Sequence, residues 1–413
     1  DGAATPERAT VVWYIDERKV PDEVVRATGL VDGRAAGAAP PGGDEAAAVL
    51  RVRPYEQFAA DLKAIGARDE KVWVAASSSF AVHAAIKEEN KVVQITPVCM
   101  HKALKNDTEL QCIREAHLRD GVAMVKFLSW MEEHIPELEQ QGSAMTEFEC
   151  ARKVDSFRAA QERFKGLSFE TISAAGPNGS VIHYRAKRVG SRPVTTKEMY
   201  LLDSGAQYED GTTDITRTMH FGTPGPREKA CWNYALKGHI AMDTVVWPQG
   251  LSGSQLDAVA RLALWRQGLD YRHGTGHGVG AFLNVHEDPQ RMSLAQLPNP
   301  VPFDVGMTLS NEPGYYEDGC FGVRHENILV VRRADTPNSF GPKPYLAFDH
   351  LSMVPFQRKM VDPGVLSAEE VAWVDRYHAE VRAKLSPRLA DDAKTLRWLH
   401  AATEPIGSGE LPP

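Results

Sequence analysis

The apolar pattern changes character once along the chain, near residue 106. Before that point it comes in short continuous runs. Val11-Val12-Trp13-Tyr14-Ile15, Val72-Trp73-Val74 and Val92-Val93-Gln94-Ile95 read as buried strands, and Pro21 opens a helix after the first. These runs predict a small α/β unit over residues 1–105, without recognisable chemistry of its own. Inside it, RAAGAAPPGGDEAAA from Arg34 to Ala48 has no periodicity and is rich in Gly, Pro and Ala, so it reads as a surface loop insertion.

From Asn106 the spacing becomes helical. Leu110, Ile113, Ala116, Val122, Met124, Val125, Leu128 and Trp130 recur on one face until Pro136. Thr146 with Glu149 and Ser367 with Glu370 are capping-box signatures that start two further helices. Two more helices are predicted at about 226–246 and 254–268. Between the helices lie two hairpin patterns. The first, LLDSGAQYEDGTTDITRTMH over Leu201–His220, has an apolar lead-in, an Asp210-Gly211 turn and a β-branched return. A centre between Tyr208 and Glu209 sets Asp203 opposite Asp214. The second hairpin centres on Gly319, after Asp318, and sets Glu312 opposite Glu326.

The order of elements is helix, helix, hairpin, helix, helix, hairpin, helix, a loose internal duplication. Helices on one face of a curved antiparallel sheet satisfy it, with the acids on the other face, so residues 106–413 are predicted to form an α+β domain. Like charges facing each other across a ladder repel and are costly to desolvate, and a bound cation relieves both problems. Between the hairpins lies HGTGHGVG, residues 273–280. One imidazole with four carboxylates is too anionic and oxygen-rich for a single zinc and suits a pair of divalent ions sharing carboxylates.

Composition narrows the partners. With 43% hydrophobic and 25% charged residues in 413, the chain has the ordinary globular mixture, and its net charge of -8 gives no support to nucleic-acid or anionic-membrane binding. Neither a bilayer-length apolar run nor a signal peptide is evident. Cys99, Cys112, Cys150, Cys231 and Cys320 are odd in number and scattered, which disfavours a disulfide framework and predicts buried thiols in a reducing, cytoplasmic setting.

LLDSGAQYEDGTTDITRTMHFG, HGTGHGVGAFLNVHE, NEPGYYEDGCFGVRHEN and SAAGPNGSVIHYR resemble the motifs of cytosolic-type aminopeptidase P, the Xaa-Pro aminopeptidases, within the pita-bread metallopeptidases. The resemblance covers nearly the whole chain. It implies a C-terminal pita-bread (creatinase/aminopeptidase) domain preceded by a smaller α/β creatinase-like domain. It also implies that the first of the family's usual three domains is missing, which puts catalysis on short substrates in doubt while sparing metal binding. Asp203, Asp214, His277, Glu312 and Glu326 match the ligands of two divalent ions, manganese first and zinc or cobalt as alternatives. Asp214 and Glu326 stand at the bridging positions. His183 and His286 match two non-ligand histidines that bind substrate and stabilise the tetrahedral intermediate, and His273, Tyr316 and Arg324 match positions around the substrate pocket.

The implied reaction releases the N-terminal residue before a proline. A hydroxide shared by the two ions attacks, and Glu312 carries the proton. Proline-containing peptides are the expected substrates and a homodimer the expected assembly. Trp265 fits either an exposed dimer anchor or a core position. Two other readings stand beside this one: a prolidase restricted to Xaa-Pro dipeptides, and a non-catalytic pita-bread binding module, which should have lost ligands and often carries a basic patch. His325 sits where an aliphatic residue is more usual and is expected to face away from the ions.

Overall fold

The computed structural model describes residues 10–24, 30–31, 34–35, 49–295 and 300–406, and the chain divides into two compact units, Asp1–Pro97 and Val98–Pro413. In the first unit the strand Thr10–Tyr14 pairs in parallel with Val49–Arg53, and Val72–Ala75 pairs in parallel with Lys91–Gln94. The helix Phe58–Gly66 is tied to the first pair through Asp61, which accepts from the Tyr14 hydroxyl at 2.8 Å and pairs with Arg53. The helix after Pro21 is described only at 22–24. Of the segment Arg34–Ala48, all but Arg34–Ala35, a short strand paired with Leu30–Val31, lies outside the described residues.

The second unit begins its main helix at Asp107, where Asn106 and Glu109 form a reciprocal capping box, and continues to Gln140. It therefore runs one turn past the Pro136 stop that the sequence suggested. Proline forfeits one backbone hydrogen bond, and tertiary anchoring of the last turn offsets this. Glu139 there accepts from the Thr196 N–H at 3.0 Å. Both predicted capping boxes form, opening Glu147–Ala159 and Ala368–Leu385, and the remaining predicted pair of helices is found at Pro226–Asp243 and Gly253–Trp265.

These helices cover antiparallel sheets. One has the order Ile215–His220, Met199–Ser204, Ile172–Ala175, and a six-stranded sheet contains Asn327–Ala334, Thr308–Asn311 and Gly276–Gly278 side by side. Strand alternation explains the division of labour. Tyr200 and Leu202 pack with Ile215 and Met219 against Met124, Phe127 and Leu128 of the long helix, so Asp203 and Thr216 take the opposite face. The sheets meet where the Glu326 N–H donates to the Thr216 carbonyl at 3.2 Å. Arg217, on the helix side, locks the junction by donating to the carbonyls of Thr216, Glu326 and Val354 at 2.9, 2.7 and 2.6 Å. A buried guanidinium is tolerated because its donors are satisfied.

The first hairpin differs from expectation in register. Asp203 stands opposite Thr216, not Asp214, because the turn is at Glu209–Asp210, with Tyr208 paired to Gly211. Asp210 is held there by Arg119 and, at 2.9 Å, by Arg163. A slip of two keeps every side chain on its face, so the acids still converge. The second hairpin has the predicted register: Gly314 to Glu317 pair with Arg324 to Phe321 about Gly319, whose φ of 71° is the left-handed turn conformation glycine allows. None of the cysteines is paired; Cys150 and Cys231 are buried, Cys99 and Cys112 are half-buried and Cys320 is exposed at this turn, so the expectation of buried thiols holds only for the first two.

Candidate metal centre

Five segments converge on a cavity of about 570 Å³. Asp203 is the penultimate residue of the strand Met199–Ser204, Asp214 precedes Ile215–His220, His277 sits in Gly276–Gly278, and Glu312 and Glu326 flank the breaks between the six-stranded sheet and the second hairpin. All five line the cavity, together with His183, His273, His286 and Arg324. Ligating atoms of Asp214, His277 and Glu326 lie within 4.8 Å of one another. The His277 Nε2 is 3.6 Å from Asp214 and 3.5 Å from Glu312.

The positions are held from outside. His277 places Nδ1 3.0 Å from the Gly278 carbonyl, which fixes the proton there and leaves the Nε2 lone pair directed at the carboxylates. Its backbone N–H donates to Ser310 Oγ at 2.9 Å, and the same hydroxyl reaches Glu312 at 3.3 Å. Thr216 donates to Glu326 at 2.7 Å. Gly276 is required by close packing, since a Cβ would lie 1.9 Å from the Ser310 carbonyl oxygen. Arg324 donates to Asp203 at 2.6 Å and to the Tyr316 hydroxyl at 2.7 Å, and stands 4.0 Å from Glu312. Tyr316 also meets His273 Nε2 at 2.8 Å, so it braces the site from behind the cavity wall. The His286 ring packs edge-on to His277 at 4.2 Å between centroids. His325 turns into the core, with Nε2 3.0 Å from the Trp232 carbonyl.

Electrostatically the cluster is unbalanced. Burial raises the pKa of Asp214 and Glu326 well above the carboxylate range, and neighbouring acids add to it. Burial pushes Glu312 up to about 8 against the pull of Arg324. Burial also lowers His277 to about 4, helped by His286, and His273 to about 3. Asp203 Oδ1, Asp214 Oδ1 and Glu326 Oε1 are buried without a hydrogen-bond partner. Three orphaned carboxylate oxygens in one cavity, those of Asp214 and Glu326 on residues clustered with the His277 imidazole, constitute a donor set with nothing to donate to, which fits divalent cations.

Several contributors went unnoticed in the sequence. Thr216 and Ser310 lie two residues from Asp214 and Glu312, and that same-face spacing was a usable signal. Glu147, fully buried, accepts from the Ala175 N–H at 2.7 Å, Asn178 at 2.9 Å, Tyr184 at 2.7 Å and the Arg192 N–H at 3.0 Å, clamping the loop that carries His183. Asp257 holds Thr275, and Arg261 holds the His273 carbonyl at 2.6 Å. Nothing in local spacing announced these.

Paired helices over antiparallel sheets, with a buried carboxylate and imidazole cluster where the sheets meet, define a metalloprotein of the pita-bread class. Residues 111–333 match metallopeptidase family M24, residues 344–406 the C-terminal region of that family, and residues 3–109 the creatinase/prolidase N-terminal domain. The chain belongs to metallopeptidase family M24. It is 46% identical over 358 residues to the probable Xaa-Pro aminopeptidase P of Laccaria bicolor, covering 86% of this chain and 55% of that protein. It is 45% identical over 348 residues to aminopeptidase P1 of Lotus japonicus, covering 80% and 52%. The chain thus spans about half the length of the curated relatives it matches. Among solved structures, the X-prolyl aminopeptidase of Caenorhabditis elegans, described as a cytosolic enzyme with a di-nuclear active site, superposes with a TM-score of 0.80 at 36% identity, covering 86% of this chain and 58% of that one. The Xaa-Pro dipeptidase of Bacillus anthracis shares the fold at 21% identity and a TM-score of 0.62.

Proposed function

We propose that this chain is the metal-dependent part of a cytoplasmic, homodimeric Xaa-Pro aminopeptidase, which releases the N-terminal residue from peptides with proline in second position. The observation that carries the reading is the set of three buried, unpartnered carboxylate oxygens of Asp203, Asp214 and Glu326, two of them on residues clustered with His277, in one cavity. The names of the relatives at 45–46% identity support the substrate class, and the di-nuclear neighbour supports two ions. Asp203, Asp214, His277, Glu312 and Glu326 would hold them, manganese being the ion proposed. Bound divalent cations supply Lewis acidity toward the scissile carbonyl and make a water nucleophilic at neutral pH.

The chain's own groups do the rest. Glu312, with a hydroxyl donor at Ser310, takes a proton from the attacking water and returns it to the leaving proline nitrogen. His183 and His286 face the same cavity and donate hydrogen bonds to the oxygen on which charge develops. Arg324, pinned by Asp203 and Tyr316, keeps the carboxylates apart in space and limits their mutual repulsion. Proline lacks an N–H and restricts the residue before it, so its peptide bond calls for a dedicated pocket rather than extended-strand recognition.

Mass-spectrometric product analysis of manganese-loaded protein, with an Xaa-Pro-Yaa tripeptide and an Xaa-Pro dipeptide side by side, tests this. Release of the first residue from the tripeptide is expected. Cleavage of the dipeptide alone would replace the reading with a prolidase, and silence on both with two metals bound would refute activity of this chain by itself.

A further inference from the structure

A second cavity of about 550 Å³ lies on the other face of the strand Ile215–His220, away from the carboxylate cluster. It is enclosed by the long helix, the helix Ala393–Ala402 and the segment from Pro355 to Lys359. Its apolar wall is made by Leu128, Met219, Phe221, Phe356 and Trp398. Its polar groups are unevenly matched. Glu132 is fully engaged, accepting from Gln357 Nε2 at 2.7 Å and Trp398 Nε1 at 2.8 Å. Arg358 is 7% exposed, contacts the Pro405 carbonyl at 3.0 Å and Glu404 at 3.6 Å, and leaves its Nε buried without a partner. Lys359 is half-buried and donates only to the Gly222 carbonyl at 2.9 Å, with no carboxylate in salt-bridge range among the described residues.

We propose that this cavity is a binding site for a small amphipathic carboxylate, its charge on Lys359 and its apolar body against Phe221, Phe356 and Trp398. The volume lies within the range of about 300–1,000 Å³ that small-molecule sites occupy. Burying an ammonium is costly unless an anion meets it, and burial lowers the Lys359 pKa while Glu132 only partly restores it. The aromatic lining supplies the apolar half of the recognition. The site is separate from the metal centre and independent of its assignment.

The test uses metal-loaded protein and 4-phenylbutyrate as probe, with binding followed by calorimetry and by Trp fluorescence, and with neutral 4-phenylbutyramide as the matched control. Saturable binding of the acid is expected, weaker by about ten-fold or more for the amide and for Lys359→Met, as loss of a charge-assisted hydrogen bond entails. Ala402→Phe, which fills the cavity from its rim and leaves Lys359 in place, should also abolish binding, so that loss is not an artefact of one misfolded variant. Circular dichroism verifies both variants. Equal affinity for acid and amide, retention in Lys359→Met, or no saturation would overturn the proposal. So would binding that is lost in Asp214→Asn but kept in Lys359→Met, which would put the carboxylate at the metal centre.

Discussion

Removing the metal should make stability fall as pH rises, the reverse of the behaviour expected from carboxylates held by ion pairs. Glu312 is shifted from 4.5 to about 8 by burial, and Asp214 and Glu326 are shifted in the same direction. A raised folded-state pKa contributes stability that is fully present below the unfolded value near 4.5 and is lost as pH climbs through about 8. For Glu312 alone the shift amounts to on the order of 5 kcal/mol. Its side chain keeps 17% exposure, so water screens part of this and a loss of about 3 kcal/mol is the working figure. For the unit Val98–Pro413 that lowers Tm by roughly 4–5 °C. Manganese at a hundredfold excess over its Kd returns about 2.7 kcal/mol per site, most of it at high pH, where the ligands are deprotonated.

His350 complicates the measurement. Although burial opposes it, hydrogen bonds to Asp243 and Glu380 raise its pKa to about 9, so its contribution is lost in the same window whether or not metal is bound. The quantity to read is therefore the difference in Tm between chelated and manganese-loaded protein, by calorimetry from pH 5.5 to 8.5. That gap should widen with pH. Asp214→Asn removes one of the buried charges, so it should raise the chelated Tm at pH 8 and erase most of the gain from manganese. A gap that is flat or narrows with pH, or an Asp214→Asn variant less stable than the parent without metal, would refute the reasoning.

Two further outcomes are expected. His286→Ala should lower turnover on an Xaa-Pro-Yaa peptide by about 10²-fold while leaving metal content unchanged by elemental analysis, as removal of one oxyanion donor does; loss of metal would instead make His286 a ligand or a prop. Gly276→Ala should cost about 2–3 kcal/mol in urea unfolding and weaken manganese binding, because the added Cβ must push the Ser310 carbonyl and with it the strand that positions Glu312; unchanged affinity would mean that the strand spacing does not set the centre.

Much of this organisation was readable in the sequence because it rests on local rules. Capping boxes fixed two helix starts, and the period of two put Asp203 on the inner face of its strand. The second hairpin obeyed simple symmetry about Gly319 because that glycine supplies its turn. The first did not, since Arg119 and Arg163, 91 and 47 residues from Asp210, draw the turn to Glu209–Asp210. Pro136 was misleading for the same reason, as a contact with Thr196 sustains the helix beyond it. Glu147 shows the limit most clearly: four donors reach it from scattered positions, and no spacing pattern encodes such a convergence.

The junction between the two sheets has a kinetic consequence. Thr216 and Glu326 are 110 positions apart in sequence, and Arg217 reaches across a similar span, so the donor set exists only after both sheets have folded and docked. An unfolded or half-folded chain offers an ion isolated carboxylates and little else. The metal is then a latch that closes after the folding barrier is crossed: it lengthens the lifetime of the native protein by slowing unfolding and leaves the rate of folding nearly untouched.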